Sequence, residues 1–249
     1  MRYFIYLEFD GTAYSGWQIQ PHSPSVQQTI EDSLALFLRD KISVTGAGRT
    51  DAGVHASEMV AHFDLDTPQD CIWMQNKLNG ILPADIAVRR IVPVKPDAHA
   101  RFDAVSRTYK YYLSLQKSAI HRDFSWFFPN EPDFKLMNYA AELLISTTDF
   151  TSFSKLHTDT KTNDCHVIEA QWTPLADCCW VFTITADRFL RNMVRAIVGT
   201  LMDVGRHKLT VDGFKRIIDS KNRCSAGDSA PAKGLFLHKI VYPDNIFEI

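Results

Sequence analysis

The chain lacks the features that mark membrane, secreted and zinc-binding proteins. No apolar run approaches eighteen residues, and Met1 leads directly into an alternating segment, so we expect neither a membrane span nor a signal peptide. The 5 cysteines are an odd number without a Cys-x-x-Cys pair, which argues against a disulfide framework or a zinc cluster. Free thiols in a cytoplasmic protein are the simplest interpretation.

Several catalytic and ligand-binding motifs are also missing. Gly46-Ala-Gly48 is followed by Asp51 where a dinucleotide fingerprint needs its third glycine, and there is no Walker string. No Gly-x-Ser-x-Gly elbow is present, although residue types alone leave Ser/His/Asp hydrolysis open. His55 and His62 lack a third partner at a convincing spacing, so we predict no metal site.

An excess of positive charge is absent as well. The 249 residues carry a formal net charge of −2, which argues mildly against nucleic acid as a partner. The charge is uneven, however, because residues 181–249 hold 11 Lys and Arg against 7 Asp and Glu, while residues 1–180 hold 16 against 22. A helix bearing the basic residues of one stretch, Arg188, Arg191, Arg195, Arg206, His207 and Lys208, could line a basic cleft, and a solvated charged face is the alternative.

Asp51 is the carboxylate with the most informative sequence context. It lies between glycines in Gly46-Ala-Gly-Arg-Thr-Asp-Ala-Gly-Val-His-Ala56, just after an alternating run that predicts a strand. Glycines permit positive φ and the close approach of a ligand, and an aspartate can act as a nucleophile. The alternative is an ordinary turn in which Asp51 hydrogen-bonds its own backbone.

Periodicity predicts helices that alternate irregularly with runs of strands. Strands are predicted at 2–9, 41–45, 59–65, 86–94, 106–115, 166–173, 180–186 and 234–242, and helices after a cap at Ser25 and at 70–79, 134–145, 189–204 and 211–220. This order predicts an α+β fold with helices packed on a mainly antiparallel sheet. The order of elements also suggests two diverged copies of one βαββ-type unit.

The string Gly48-Arg-Thr-Asp-Ala-Gly-Val-His-Ala56 resembles the signature of the TruA family of tRNA pseudouridine synthases. Similar blocks follow family order along nearly the whole chain: Phe9-Asp-Gly-Thr-Ala-Tyr-Ser-Gly-Trp-Gln-Ile-Gln20, Ser25-Val-Gln27, His99-Ala-Arg-Phe102, Arg107-Thr-Tyr-Lys-Tyr111, Asp149-Phe-Thr-Ser-Phe153, Phe189-Leu-Arg-Asn-Met-Val-Arg195, Gly199-Thr-Leu201, Ala232-Lys-Gly-Leu-Phe236 and Tyr242-Pro243. The segment from Leu156 to His166 departs from the family, because it lacks the usual basic loop.

The resemblance implies a two-lobed pseudouridine synthase fold with the active-site cleft between the lobes. On this basis residues 1–105 form the lobe that carries the catalytic Asp loop, and residues 106–249 form the lobe with the Tyr strand and the Arg helix. The implied activity is isomerisation of uridine to pseudouridine at positions 38 to 40 of the tRNA anticodon stem-loop. The family acts as a homodimer without cofactor or metal, so we expect the same here.

The resemblance also assigns the site residues. Asp51 is the catalytic aspartate, and Tyr109 stacks on the target base with its hydroxyl placed for proton transfer; a tyrosine packed in the core is the alternative. Arg195 lies on an otherwise apolar helix and needs a partner, which the family likeness makes Asp51. Arg49 binds the substrate, either at an RNA phosphate or in the space of the flipped nucleotide.

Two other functions stay open. A glycosidase also breaks a bond at an anomeric carbon but usually needs two carboxylates, and the candidates Glu58 and Asp10 have ordinary surroundings. An isomerase needs no second carboxylate to activate water, because the detached uracil itself returns to the sugar through carbon 5. A tRNA-binding folding helper is the other alternative, and the intact Asp51, Tyr109 and Arg195 argue against it. Whether Asp51 attacks the sugar, attacks the base or assists elimination is open.

Overall fold

The chain folds as two compact units. The computed structural model describes residues 1–155, 162–176 and 178–247. The first unit is Met1–Ser106 together with Phe236–Ile249, and the second is Arg107–Leu235. The first unit therefore contains residues from both predicted lobes, and the functional division between residues 105 and 106 stays a prediction.

The first unit is built around the strand order β4–β1–β3–β9. These strands are β1 (Arg2–Phe9), β3 (His55–Asp64), β4 (Ile86–Val94) and β9 (Leu235–Val241), and the short β2 (Thr45–Gly46) pairs with β3. β1 pairs antiparallel with both β3 and β4, whereas β3 and β9 run parallel. A strand from the end of the chain thus lies directly beside the strand that follows the Asp51 loop.

Two capped helices belong to the same unit, α1 (Val26–Leu38) and α2 (Cys71–Ile81). The Ser25 hydroxyl caps α1 by accepting a hydrogen bond from the Gln28 N–H at 3.3 Å, and Asp70 caps α2 in the same way. The predicted start of α1 at Ser25 is confirmed.

The second unit has its own strand order, β5–β8–β7. Its elements are β5 (Ser106–Ser114), the short β6 (Trp126–Phe127), α3 (Phe134–Glu142), β7 (Val167–Pro174), β8 (Cys179–Ala186), α4 (Met193–Gly205) and α5 (Val211–Ser220). β8 pairs antiparallel with β5 and with β7, and β6 pairs parallel with β5. The α+β class and the largely antiparallel pairing are confirmed.

Short 3-10 turns complete the fold, at Thr151–Phe153, Arg223–Ser225, Ala232–Gly234 and Asp244–Phe247. None of the helices within the described ranges is long and apolar enough to cross a membrane. The family departure predicted at Leu156 to His166 falls largely outside the described residues, which resume at Thr162.

The strand predicted at residues 41–45 is wrong except at its last residue. Only Thr45 and Gly46 pair with β3. Val44 instead donates its N–H to the Glu31 carboxylate at 2.8 Å. Its carbonyl accepts a hydrogen bond from the Gln27 side-chain amide at 3.0 Å. Side chains of α1 therefore take the backbone groups that a strand would have used.

The predicted bounds of two further elements shift by several residues. The helix predicted at 189–204 begins only at Met193, because Asn192 has a left-handed backbone with φ of 65°. The strand predicted from residue 59 begins at His55, directly after the Asp51 loop. In both cases a turn lies next to a predicted site residue, at residues 52–53 beside Asp51 and at residues 191–192 before Arg195.

Candidate active site

Asp51 lies on the loop between β2 and β3, inside a tight turn. The Val54 N–H donates to the Asp51 carbonyl at 3.1 Å, and Gly53 has a φ of 73°. Only glycine adopts this backbone without strain, which explains why a glycine follows the aspartate so closely. Asp51 is half-buried and Arg49 is exposed, while Thr50 between them is buried.

Residues 9–20, the first of the blocks shared with the family and called the opening block below, contain two glycines that let the backbone pack directly on the Asp51 loop. A Cβ at Gly16, whose φ is 101°, would meet the Thr50 carbonyl oxygen at 2.2 Å. A Cβ at Gly11 would meet the Val54 carbonyl oxygen at 2.0 Å. Since real Cβ atoms do not approach backbone this closely, both positions require glycine. The loop on both sides of Asp51 is thereby fixed by main-chain packing.

Hydrogen bonds join the same two segments. The Trp17 N–H donates to the Thr50 carbonyl at 3.3 Å, and the Gly53 N–H donates to the Tyr14 carbonyl at 3.2 Å. The Tyr14 hydroxyl donates to the Asp85 carboxylate at 2.8 Å. Burial, together with that carboxylate, raises the pKa of Tyr14 to about 12, so the phenol keeps its proton and remains a donor.

Gln27 accounts for the Ser25-Val-Gln27 block. Its side-chain oxygen accepts from the Gln18 amide at 2.9 Å and from the Ile19 N–H at 3.2 Å. Its amide nitrogen donates to Glu31 and to the Val44 carbonyl, each at 3.0 Å. One side chain therefore links α1, the end of the opening block and the segment that leads into β2.

His55 is a fully buried structural residue at the start of β3. Its ring stacks on the Phe236 ring of β9 with centroids 4.5 Å apart, and its Nδ1 accepts the Gly11 N–H at 3.0 Å. An Asp10 carboxylate oxygen lies 3.1 Å from the same nitrogen. Within the described ranges no group of three or more His, Cys, Asp or Glu side chains could hold a metal ion. His55 thus ties the opening block to the strand that follows Asp51.

The two carboxylates considered for a glycosidase are both engaged with the fold. Glu58 accepts the Ile240 N–H of β9 at 3.0 Å. Asp10 accepts the N–H and the hydroxyl of Thr12, at 2.9 Å and 2.6 Å. These contacts account for both side chains as structural acceptors.

Tyr109 and Tyr111 occupy the same face of β5, in different surroundings. Tyr109 is half-buried, and its ring meets the Phe189 ring edge to face with centroids 5.0 Å apart. Tyr111 is fully buried and donates its hydroxyl to the Pro231 carbonyl at 2.9 Å. Burial raises the pKa of Tyr111 far above that of a free phenol. Tyr111 is thus the fully buried tyrosine of this face, and the role of Tyr109 stays a prediction.

Arg195 lies in the first turn of α4 and forms a reciprocal pair with Ala230. The Ala230 N–H donates to the Arg195 carbonyl at 2.9 Å, and the Arg195 Nε–H donates to the Ala230 carbonyl at 2.8 Å. The pair orients the guanidinium through one of its edges. The predicted pairing of Arg195 with Asp51 stays a prediction.

The predicted basic helix face is wrong, because the arginines are spread over different segments. Arg188 and Arg191 precede α4, while Arg206 lies at its C-terminal end with its guanidinium 5.6 Å from the centre of the Phe128 ring. Arg188 reaches the Thr162 hydroxyl at 3.4 Å. The left-handed Asn192 separates the first two arginines from the helix.

Sequence reasoning missed the loop of residues 226–231, whose Ala230 holds Arg195. Its glycine, aspartate, serine and proline at 227, 228, 229 and 231 indicate a loop, but none of them indicates which helix the loop packs against.

Comparison with known proteins gives matches along the chain. Residues 5–103 and 140–243 match a family described as tRNA pseudouridine synthase. The chain is 55% identical over 249 residues to tRNA pseudouridine synthase A of Parabacteroides distasonis, covering 100% of this chain and 98% of that relative. It is 58% identical over 248 residues to the protein of the same name from Bacteroides fragilis, covering 99% and 98%.

A relative from Porphyromonas gingivalis, also called tRNA pseudouridine synthase A, is 57% identical over 249 residues, with 99% of each chain covered. Asp51 and Arg195 fall inside the two ranges that match the family, whereas Tyr109 falls between them.

Proposed function

The chain belongs to the tRNA pseudouridine synthase family, and on that premise we propose that it acts at positions 38 to 40 of the tRNA anticodon stem-loop with Asp51 as the catalytic aspartate. Isomerisation of uridine to pseudouridine in tRNA is the activity of this family, so the chain is a tRNA-modifying isomerase.

The packing of the Asp51 loop is the observation that carries the role of Asp51. Main-chain contacts at Gly11 and Gly16 fix the backbone on both sides of the carboxylate, while the side chain itself is half-buried. A catalytic group held by main-chain packing needs no rearrangement to meet its substrate. The uridine must first leave the base stack, which costs a few kcal/mol and is cheapest at the edge of a loop.

The isomerisation breaks the bond between C1′ and N1 of uridine and joins C1′ to C5. The C5 proton is then lost and N1 gains a proton, so no atom is added from water. One carboxylate near the anomeric carbon is sufficient for this exchange. The structural contacts of Glu58 and Asp10 support the isomerase over a glycosidase, which usually needs a second catalytic carboxylate.

Further residues complete the proposal. Tyr109 stacks on the target base, a role that its half-buried ring supports, since an aromatic face must be accessible to stack on a base. Arg195 pairs with Asp51 and orients it, and Arg49, which is exposed and two residues before Asp51, binds the RNA. The family likeness is also the ground for proposing a homodimer in the cytoplasm that works without cofactor or metal.

Asp51→Asn tests the proposal, with Asp66→Asn at an exposed position of the same unit as the matched control. We expect the isosteric change at Asp51 to abolish pseudouridine formation while thermal unfolding and tRNA binding stay unchanged, and the control to behave as wild type. Pseudouridine is mapped in tRNA before and after incubation. Activity within tenfold of wild type, a loss of under about 1.4 kcal/mol, would contradict the assignment.

A further inference from the structure

The 226–231 loop is attached to α4 along its length. The Gly227 N–H donates to the Thr200 hydroxyl at 3.0 Å, one helical turn and a residue beyond Arg195. A Cβ at Gly199 would lie 1.7 Å from the Asp228 carbonyl oxygen, so only glycine lets the loop approach this face of the helix. The glycine and threonine of the Gly199-Thr-Leu201 block are thereby explained, because the 226–231 loop packs on them.

Ser229 of the loop accepts hydrogen bonds from two side chains. Its hydroxyl oxygen accepts from the Asn192 side-chain amide at 2.6 Å and from Arg223 at 3.2 Å. Arg223 also donates to the Gly227 carbonyl at 3.2 Å. Asn192 is the left-handed residue at the start of α4, so its side chain joins the helix start directly to Ser229.

Ala230 follows Ser229 and is almost completely buried. Its N–H and carbonyl form the reciprocal pair with Arg195, at 2.9 Å and 2.8 Å. On its other side Pro231 restricts the backbone of Ala230 and accepts the Tyr111 hydroxyl at 2.9 Å. Ala230 is therefore held from both neighbours, and its carbonyl sets the direction of the Arg195 Nε–H.

We propose that Ser229 is a positioning residue for Arg195 and acts through the backbone of Ala230. Arg223 and Asn192 donate hydrogen bonds that fix the position of the Ser229 hydroxyl. The fixed Ser229 holds the backbone of the next residue, Ala230, and the Ala230 carbonyl orients the Arg195 guanidinium. This inference rests on the role proposed for Arg195 in the isomerisation. Because a misplacement of about 1 Å at a reacting group costs on the order of a hundredfold in rate, a small shift of Ala230 reaches the chemistry.

The test compares Ser229→Ala, which removes the shared acceptor, with Ser229→Thr, which keeps a hydroxyl. Ser225→Ala, at an exposed serine shortly before the loop, is the matched control. We expect Ser229→Ala to lower kcat about tenfold with KM for tRNA within about twofold of wild type, and Ser229→Thr to restore most of the rate. Asn192→Gly, which removes the amide donor but suits the left-handed backbone, is expected to lower kcat in the same direction.

Two readouts separate positioning from general stability. The NMR signal of the Arg195 Nε–H, assigned by its disappearance in Arg195→Lys, should shift and exchange faster in Ser229→Ala but not in Ser225→Ala. In an Arg195→Lys background, which keeps the positive charge but lacks Nε–H, adding Ser229→Ala should change kcat by less than about twofold.

The outcomes distinguish this inference from the proposed function. An unchanged Arg195 signal in Ser229→Ala, or an equal loss of kcat in both backgrounds, overturns the positioning role of Ser229. If Arg195→Lys and Arg195→Met both keep the wild-type rate, the catalytic assignment of Arg195 fails instead, and an altered Nε–H signal in Ser229→Ala would then show that only the structural coupling is correct.

Discussion

Asp51 in the first unit and Arg195 in the second are held in different ways. The Asp51 loop is fixed by main chain against main chain, with Gly11 and Gly16 leaving no room for a Cβ. The loop that holds Arg195 also packs closely on α4 at Gly199, but it is joined to the start of that helix by side-chain hydrogen bonds to Ser229. A close-packed backbone contact tolerates no added atom, whereas each hydrogen bond contributes only about 0.5–1.5 kcal/mol. The close-packed backbone contacts should therefore fail abruptly when an atom is added, and the hydrogen bonds of Ser229 should fail gradually.

The largest effect is expected from Gly16→Ala. The new Cβ would lie 2.2 Å from the Thr50 carbonyl oxygen, and φ of 101° strains any other residue. We expect a loss of about 3 kcal/mol in the free energy of unfolding, together with loss of turnover, because the Asp51 loop must move.

Gly80→Ala is the matched control, because its added Cβ on α2 meets open space. A gain of up to about 1 kcal/mol is expected there from helix propensity, with turnover unchanged. Denaturant unfolding of both variants measures these changes in the free energy of unfolding. If Gly16→Ala is as stable as wild type, the main-chain packing does not hold the Asp51 loop and the contrast between the two units is lost.

Arg195→Met is expected to have the next largest effect. Loss of the guanidinium should lower kcat on the order of a hundredfold, with tRNA binding retained and only a modest change in stability, since methionine suits an apolar helix. Arg216→Met, on the exposed side of α5, is the control and should keep wild-type kcat. A structure in which Arg195 faces bulk solvent away from Asp51 would refute the predicted pairing.

Tyr109→Phe should have a smaller effect, confined to the chemical step. The ring still stacks on the base, so tRNA binding survives, while kcat falls about tenfold because the hydroxyl is gone. Tyr139→Phe on the exposed face of α3 is the control. An equal loss of binding and turnover in Tyr109→Phe would mean that this tyrosine is structural, and the second unit would then contribute less to catalysis than proposed.

Arg206→Ala should have the smallest effect, on binding alone. If Arg206 contacts an RNA phosphate, its loss weakens tRNA binding and flattens the salt dependence of the affinity by about one unit or less. The guanidinium also lies over the Phe128 ring, so Phe128→Leu, which keeps the charge, measures the packing part separately. An unchanged salt slope in Arg206→Ala would show that the arginine serves the protein surface and not the RNA.

Helices and strands that are determined by their local sequence pattern could be predicted from the sequence. β1 and β4 are rich in β-forming residues and were predicted with the observed ends, and α5 was predicted over the residues that form it. The segment at 41–44 failed because Gln27 and Glu31 of α1 take its backbone groups, which is a tertiary contact. The start of α4 failed because nothing local indicates that Asn192 adopts a left-handed backbone.

The candidate site was predicted by family resemblance, and the structure explains the glycines that surround Asp51. An aspartate between glycines predicts only a turn. The reason for the glycines of the opening block appears when Gly16 is seen against Thr50, a contact between distant segments with no local signal. The loop that holds Arg195 through Ala230 was invisible for the same reason.

The parallel pairing of β3 with β9 has a consequence for the order in which the chain can fold during synthesis. His55 packs on Phe236, and Glu58 receives the Ile240 N–H, so β3 can pair with β1 early but lacks β9 until the whole second unit has been translated. The second unit is continuous in sequence and can fold as soon as it leaves the ribosome. The first unit must close a loop as long as the second unit itself, a slow non-local step with a modest entropic cost. A nascent chain therefore adds β9 to β3 last, and we expect a ribosome-bound fragment that ends before Phe236 to be inactive on tRNA.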